Sequence, residues 1–119
     1  CGQVEAVFSP MDSTVSASAK DAAMAAIEKK KPWYVSSEDM VKLGAFASIS
    51  IDQTEAGNKA ADIAVQLVCG KEISQLPIYS FNNGRLSVNQ TCLSKLELDV
   101  PNEILDSASL FDLSENLQE

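Results

Sequence analysis

The sequence predicts an α/β fold, with a doubly wound, mostly parallel sheet carrying helices on both faces. Short apolar runs of strand character alternate with stretches of helical period, in the order strand-helix-strand-helix-strand-helix. Two of the helical stretches share nearly the same spacing of small apolar residues, as two helices packed closely on a sheet would. The strand-to-helix junctions are polar and acidic, the composition expected where a sheet's carboxyl edge meets solvent.

The first strand is read over Val4 to Ser9, an apolar run entering Pro10-Met11-Asp12. A helix from Ser13 to Lys30 follows, with Val15, Ala19, Ala22, Ala23, Ala26 and Ile27 at offsets 0, 4, 7, 8, 11 and 12 on one narrow face. Lys29, Lys30 and Lys31 complement the negative end of its dipole, and Pro32 stops it. Pro32 to Ser36 has the β-propensity of a second strand, and its neighbours Trp33 and Tyr34 should face opposite sides of the sheet. Ser37 to Leu43 fits a short helix with Ser37 as N-cap and Gly44 as its stop, and a third strand runs from about Ala45 to Ile51. The helix from Thr54 to Cys69 has Ala56, Ala60, Ile63, Ala64, Leu67 and Val68 on one face, with Gly70 placed as its C′ residue.

The pattern changes near Pro77, dividing the chain into repeated strand-helix units over about 1–77 and a different arrangement over 78–119. Ile78 to Phe81 and Leu86 to Asn89 flank Asn83-Gly84, which predicts a hairpin or a tight bend between crossover strands. A helix from about Thr91 to Leu96 and another opened by Pro101 follow, and the polar end is expected to fray.

At 119 residues with 45% apolar content, the chain is long enough to build the core of one domain. Nine basic against seventeen acidic side chains give a net charge of −8, which repels a polyphosphate backbone and argues against nucleic-acid binding. The chain has no histidine, which removes Ser-His-Asp triads and most zinc sites. Cys1, Cys69 and Cys92 match neither a metal-ligand spacing nor a disulfide framework, and Cys1 reads as an internal residue of a longer chain. No apolar run approaches membrane-spanning length. Glycine-rich phosphate loops and nucleophile elbows are absent too, so the chain is not expected to be an enzyme, and neither cofactor nor metal is expected.

The residues left to carry chemistry sit at the three strand-helix junctions. Asp12 and Asp52 each end an apolar strand and open a helix. Each can act as an N-cap, accepting backbone N–H bonds, or can receive a cationic or hydroxyl group of a ligand whose anionic end lies on helix N-termini. A zwitterion such as an amino acid satisfies both demands. Ser37 and Glu38, with Asp39, form the third cluster, with the same choice between capping and ligand contact.

Four segments in register resemble a family of ABC transporter substrate-binding proteins whose better-known members take up tryptophan or tyrosine. Residues 4–15, Val-Glu-Ala-Val-Phe-Ser-Pro-Met-Asp-Ser-Thr-Val, are similar to the family's VDAVFVPTDNTV. Residues 37–45 resemble SEEGMVKAGAL, residues 51–57 resemble VDYYELG, and residues 86–89 with 100–105 resemble LVINLKTAKALGLTIPPELL. The resemblance covers nearly the whole chain and departs at Ser13, where the family often has Asn, and at Gln53-Thr54, where it often has aromatic residues.

The resemblance implies a periplasmic-binding-protein type I-like fold, of which residues 1–119 would be the C-terminal part of a two-lobed protein. It implies capture of a small molecule, such as an amino acid, in an interlobe cleft and delivery to ABC permease subunits after hinge closure. Asp12, Ser13 and Thr14 would then line the cleft from one lobe, Ser37 and Glu38 would lie near the crossover, and Asp52 at the cleft or hinge. The implied location is extracytoplasmic, as a lipoprotein anchored through an N-terminal part outside this sequence. Exposed sheet edges of such a fragment would favour self-association. The same fold also serves as the effector-sensing domain of transcription regulators, which is the alternative reading.

Overall fold

A computed structural model describes residues 3–113 of the chain. These residues divide into two units, one formed by the described residues up to Ser50 together with those from Arg85 onward, the other by Ile51–Gly84.

The first unit holds a sheet of five strands among the described residues, in the order β1 (Val7–Ser9), β2 (Trp33–Val35), β3 (Ala47–Ser50), β4 (Arg85–Asn89), β5 (Ser109–Phe111). All neighbouring pairs are parallel except β3 and β4, which run antiparallel with Ser48 opposite Ser87. The sheet is therefore mostly parallel, as expected.

The helices of this unit are α1 (Ser13–Ala17), α2 (Ala19–Glu28), α3 (Glu38–Lys42), α5 (Gln90–Leu96) and α6 (Asn102–Asp106); α4 (Gln53–Val68) belongs to the second unit. The expected single helix from Ser13 to Lys30 is interrupted at Ser18, whose φ of −109° and ψ of 15° leave helical space. A lone serine between two alanine-rich segments is a weak signal for such a break, because its hydroxyl competes only modestly for backbone bonds.

Strand alternation sorts the core. Trp33 and Val35 share a face with Ser48, Ser87 and Asn89, while Tyr34, Ala47 and Val88 point the other way. One cluster joins Trp33 and Val35 to Ala19, Ala23 and Ala26 of α2 and to Met40 and Val41 of α3. The small α2 residues let that helix lie close to the strands. A second cluster gathers Phe46, Ala47 and Val88 with Cys92 and Leu96 of α5. Trp33 is buried and Tyr34 is 40% exposed, so only Trp33 is a core residue in full, although the Tyr34 ring meets Phe46 edge-on at 5.5 Å.

Gly44 ends the α3 turn with φ of +112°, and a Cβ there would stand 2.9 Å from that of Ala23. The chain thus turns left-handed where α2 comes nearest. Asn89 ties strand and helices together, since its buried amide donates to the Val41 carbonyl at 2.8 Å and its Oδ1 accepts from the Cys92 N–H at 2.9 Å.

No strand forms over 78–81, so the hairpin reading around Asn83-Gly84 does not hold. The physical reason lies in β4, which has β3 on one side and β5 on the other and offers no edge to a second hairpin arm. β5 forms where the sequence predicts only a polar end that frays, and the rest of that end, 114–119, lies outside the described residues.

In the second unit, α4 is capped by Asp52 and closes at Cys69, and Gly70 after it takes φ of +88° as a C′ glycine does. A 3-10 turn, Ile73–Gln75, follows. Farther on, Lys59 Nζ lies 4.5 Å from the centre of the Tyr79 ring, which meets Phe81 edge-on.

Candidate functional site

The carboxyl ends of β1 and β2 lie side by side, with Ser9 in register with Val35. The chain leaves β1 into Asp12, Ser13 and Thr14 and leaves β2 into Ser37 and Glu38. Parallel pairing therefore brings five of the six expected site residues to one edge of the sheet. Asp52 occupies the corresponding junction after β3 but belongs to the second unit.

Asp12 has the extended backbone of an N-cap, φ −148° and ψ 134°, and its Oδ1 accepts from the Thr14 and Val15 N–H groups at 2.9 and 3.0 Å. The Ser16 hydroxyl donates to the Asp12 carbonyl at 2.8 Å, closing the first turn from the other side. Both cap bonds fall on a single carboxylate oxygen, so capping does not use the other. Asp12, Ser13 and Thr14 are all exposed. An exposed, capped carboxylate beside two hydroxyl-bearing residues can accept hydrogen bonds from a cationic or hydroxylated solute.

Ser37 occupies the N-cap position of α3, yet its side chain makes no capping bond. Glu38 is engaged with Lys42 at 2.7 Å across one helical turn, and Asp39 stands 3.5 Å from the same ammonium. The hydrogen bond that Lys42 donates to Glu38, with the charges of both acids, raises the Lys42 pKa above its ordinary value. Lys42 also lies 5.1 Å from the centre of the Phe111 ring. Glu38 thus has an ion-pair partner within its own helix, while the Ser37 hydroxyl is not spent on its cap.

Asp52, within the second unit, caps α4 as Asp12 caps α1: its Oδ1 accepts from the Thr54 and Glu55 N–H groups at 2.8 and 3.1 Å. The repeated strand-Asp-helix pattern in the sequence therefore marks the same local capping geometry twice.

Beneath the Asp12 turn lies a contact that spacing alone did not reveal. The Trp33 indole N–H donates to Ser9 Oγ at 2.9 Å, joining the core of β2 to the last residue of β1. Only the register, Val7 opposite Trp33, puts these side chains on one face. On the opposite face Phe8, Tyr34, Ala47, Ile49 and Leu86 line an open cavity of about 430 Å³ that carries no charged group.

Among the described residues, the cysteines offer no nucleophile at this edge. Cys92 is buried, donates to the Gly44 carbonyl at 2.9 Å, and burial pushes its thiol up to about 11. Cys69 is exposed at the end of α4, and Cys1 lies outside the described residues. Among the described residues, no group of three or more His, Cys, Asp or Glu side chains could hold a metal ion. No helix among them is long and apolar enough to cross a membrane.

Residues 1–111 match the family model for ABC transporter substrate binding proteins. The chain belongs to that family. It is 27% identical over 97 residues to the tyrosine-binding protein of Clostridioides difficile, a match covering 82% of this chain and 28% of that protein. Its fold is similar to that of an ABC domain from Streptococcus pneumonia solved in complex with L-Trp, with a TM-score of 0.81, 27% identity, and coverage of 92% of this chain and 37% of that one. A conserved domain protein from Vibrio cholerae superimposes with a TM-score of 0.79 at 25% identity over 92% of this chain and 37% of that one. The open, ligand-free structure of a substrate binding protein with adhesive properties from Clostridium difficile shares the fold, with a TM-score of 0.77 at 24% identity over 95% of this chain and 38% of that one. The chain thus spans well under half the length of these relatives.

Proposed function

We propose that this chain forms part of the solute-binding component of an ABC importer, with the carboxyl edge of β1 and β2 as one wall of the binding cleft. The observation that carries the reading is the adjacency of the Asp12-Ser13-Thr14 and Ser37-Glu38 junctions, in a member of a substrate-binding family. The proposed ligand is an amino acid or a similar small zwitterion, in line with the L-Trp complex and the tyrosine-binding relative. Asp12 takes its ammonium group, Ser13, Thr14 and Ser37 supply hydroxyl contacts, and Glu38 contributes negative charge tempered by Lys42. Asp52, which opens α4, is proposed separately as a ligand contact of the second unit.

The rest of the cleft comes from a longer polypeptide, of which residues 1–119 form a part. That protein works outside the cytoplasm, is held to the membrane by a lipid anchor, and passes its ligand to permease subunits without chemical change.

The test is calorimetric titration of the intact protein with L-Trp, L-Tyr and the other amino acids. Selective binding is expected, and a ligand at 100 times its Kd should stabilise the fold by about 2.7 kcal/mol. Asp12→Ala should weaken binding by about 1–3 kcal/mol while the melting temperature falls only by the loss of a helix cap. No heat and no stabilisation with any amino acid would defeat the ligand class, and unchanged affinity in Asp12→Ala would reduce Asp12 to its capping role.

A further inference from the structure

We infer that Trp33 and Ser9 form a positioning pair that holds the Asp12 turn in its ligand-binding shape. The ligand-binding role of that turn rests on the function proposed above; the positioning itself does not. Trp33 is the only tryptophan of the chain and is 3% exposed, fixed between α2 and α3 in the main core. Its indole can donate but not accept, and the structure gives that one donor to Ser9 Oγ at 2.9 Å.

Ser9 is the last residue of β1, and only Pro10 and Met11 separate it from Asp12. Pro10 has a fixed φ, so the orientation of Ser9 carries into the turn with little slack. On the far side of the turn the Ser16 hydroxyl reaches both the Asp12 carbonyl at 2.8 Å and Met40 Sδ of α3 at 3.7 Å. The exposed Asp12-Ser13-Thr14 segment is thus anchored to buried residues at both ends. An exposed binding turn would otherwise lose entropy each time it ordered around a ligand, and anchoring it beforehand removes part of that cost.

The first readout needs no ligand. NMR exchange rates of the Thr14 and Val15 amides, both of which donate to Asp12, are measured against amides within α2. Ser9→Ala removes the acceptor and leaves the core intact; it should speed exchange at Thr14 and Val15 by about fivefold, the net worth of one hydrogen bond, with α2 unchanged. Ser9→Thr retains a hydroxyl and should restore the wild-type rates. Trp33→Phe should reproduce the local effect above any general destabilisation, and adding Ser9→Ala to it should change nothing more at Thr14 and Val15. Unchanged rates in Ser9→Ala, or an equal rise throughout α2, would overturn the pair as a positioning device.

The second readout is affinity in the intact protein for whichever amino acid binds the wild type, where Ser9→Ala should raise Kd about fivefold and Ser9→Thr should not. Equal affinity in Ser9→Ala would overturn the link from the pair to binding. If the wild type binds no amino acid, the function proposed above fails, and the exchange rates still decide the pair.

Discussion

Asn89 and Ser87 sit two positions apart on the same face of β4, both with no exposed surface, and they predict opposite outcomes on truncation. Asn89 answers two backbone groups, the Val41 carbonyl and the Cys92 N–H. Asn89→Ala leaves the buried Cys92 N–H without its partner, removes the cap of α5 and takes one donor from the Val41 carbonyl, which keeps the Gly44 N–H at 3.1 Å, so it should cost about 1–3 kcal/mol, read as a lower urea midpoint with unchanged slope. The Ser87 hydroxyl has no hydrogen-bond partner among the described residues, so Ser87→Ala should leave the midpoint within about 0.5 kcal/mol of wild type. Cys92 adds a pH dependence. Its folded-state pKa, about 11, lies above the ordinary 9.0, so above pH 9 the unfolded chain releases a proton that the folded chain keeps. Stability should therefore fall as pH rises from 9 towards 11, by up to about 2–3 kcal/mol. Cys92→Ala should flatten the fall, which urea titrations at pH 8 and pH 10.5 would reveal; an equal fall in that variant would assign the slope to other groups.

The elements that were legible in the sequence are those in which local and tertiary preferences agree. β2 and α3 fall where Trp33-Tyr34-Val35 and the Ser37-to-Gly44 signals placed them, and the caps at Asp12 and Asp52 follow from residue type alone. What stayed hidden was set by partners distant in sequence. β5 forms because Ser109–Phe111 takes the side of β4 that β3 leaves, and with both sides of β4 then filled Ile78–Phe81 remains outside the sheet. The candidate site divides likewise: its residues could be named from the junctions, but the Trp33 to Ser9 bond needed the strand register. Gly44 shows how tightly two elements can depend on one position, because its positive φ and the 2.9 Å approach to Ala23 exclude a Cβ for separate reasons. Gly44→Ala should cost about 2 kcal/mol or more, whereas Gly70→Ala, left-handed but with open space around it, should cost about 1 kcal/mol. Comparing the two melting temperatures tests this, and equal losses would mean that backbone strain alone matters at Gly44.

At the scale of the whole molecule, cohesion is unevenly distributed. The unit carrying the sheet contains every residue of both buried clusters, whereas none of residues 51–84 is buried. Towards its carboxyl end the apolar side of α4 is open, with Leu67 39% and Val68 88% exposed, while Ala56 and Ile63 are half-buried. A helix of 16 residues is near the length at which isolated helices are marginal in water, and ordinarily a packed face supplies the missing stability. In this chain alone, then, α4 should open at a much lower free energy than the sheet. Hydrogen exchange followed by mass spectrometry should show peptides from 53–68 exchanging at least about tenfold faster than peptides from β2 and β4, a ratio equal to about 1.4 kcal/mol of opening free energy. The longer relatives bring this to bear on function, since the chain matches only 28–38% of their lengths. If the remaining polypeptide packs on α4 in the intact protein, protection of 53–68 should rise there to approach that of the sheet. Equal protection of α4 and the sheet in this chain alone would mean that α4 is stabilised without any such addition, and the fragment reading would lose its support from the exposed helix.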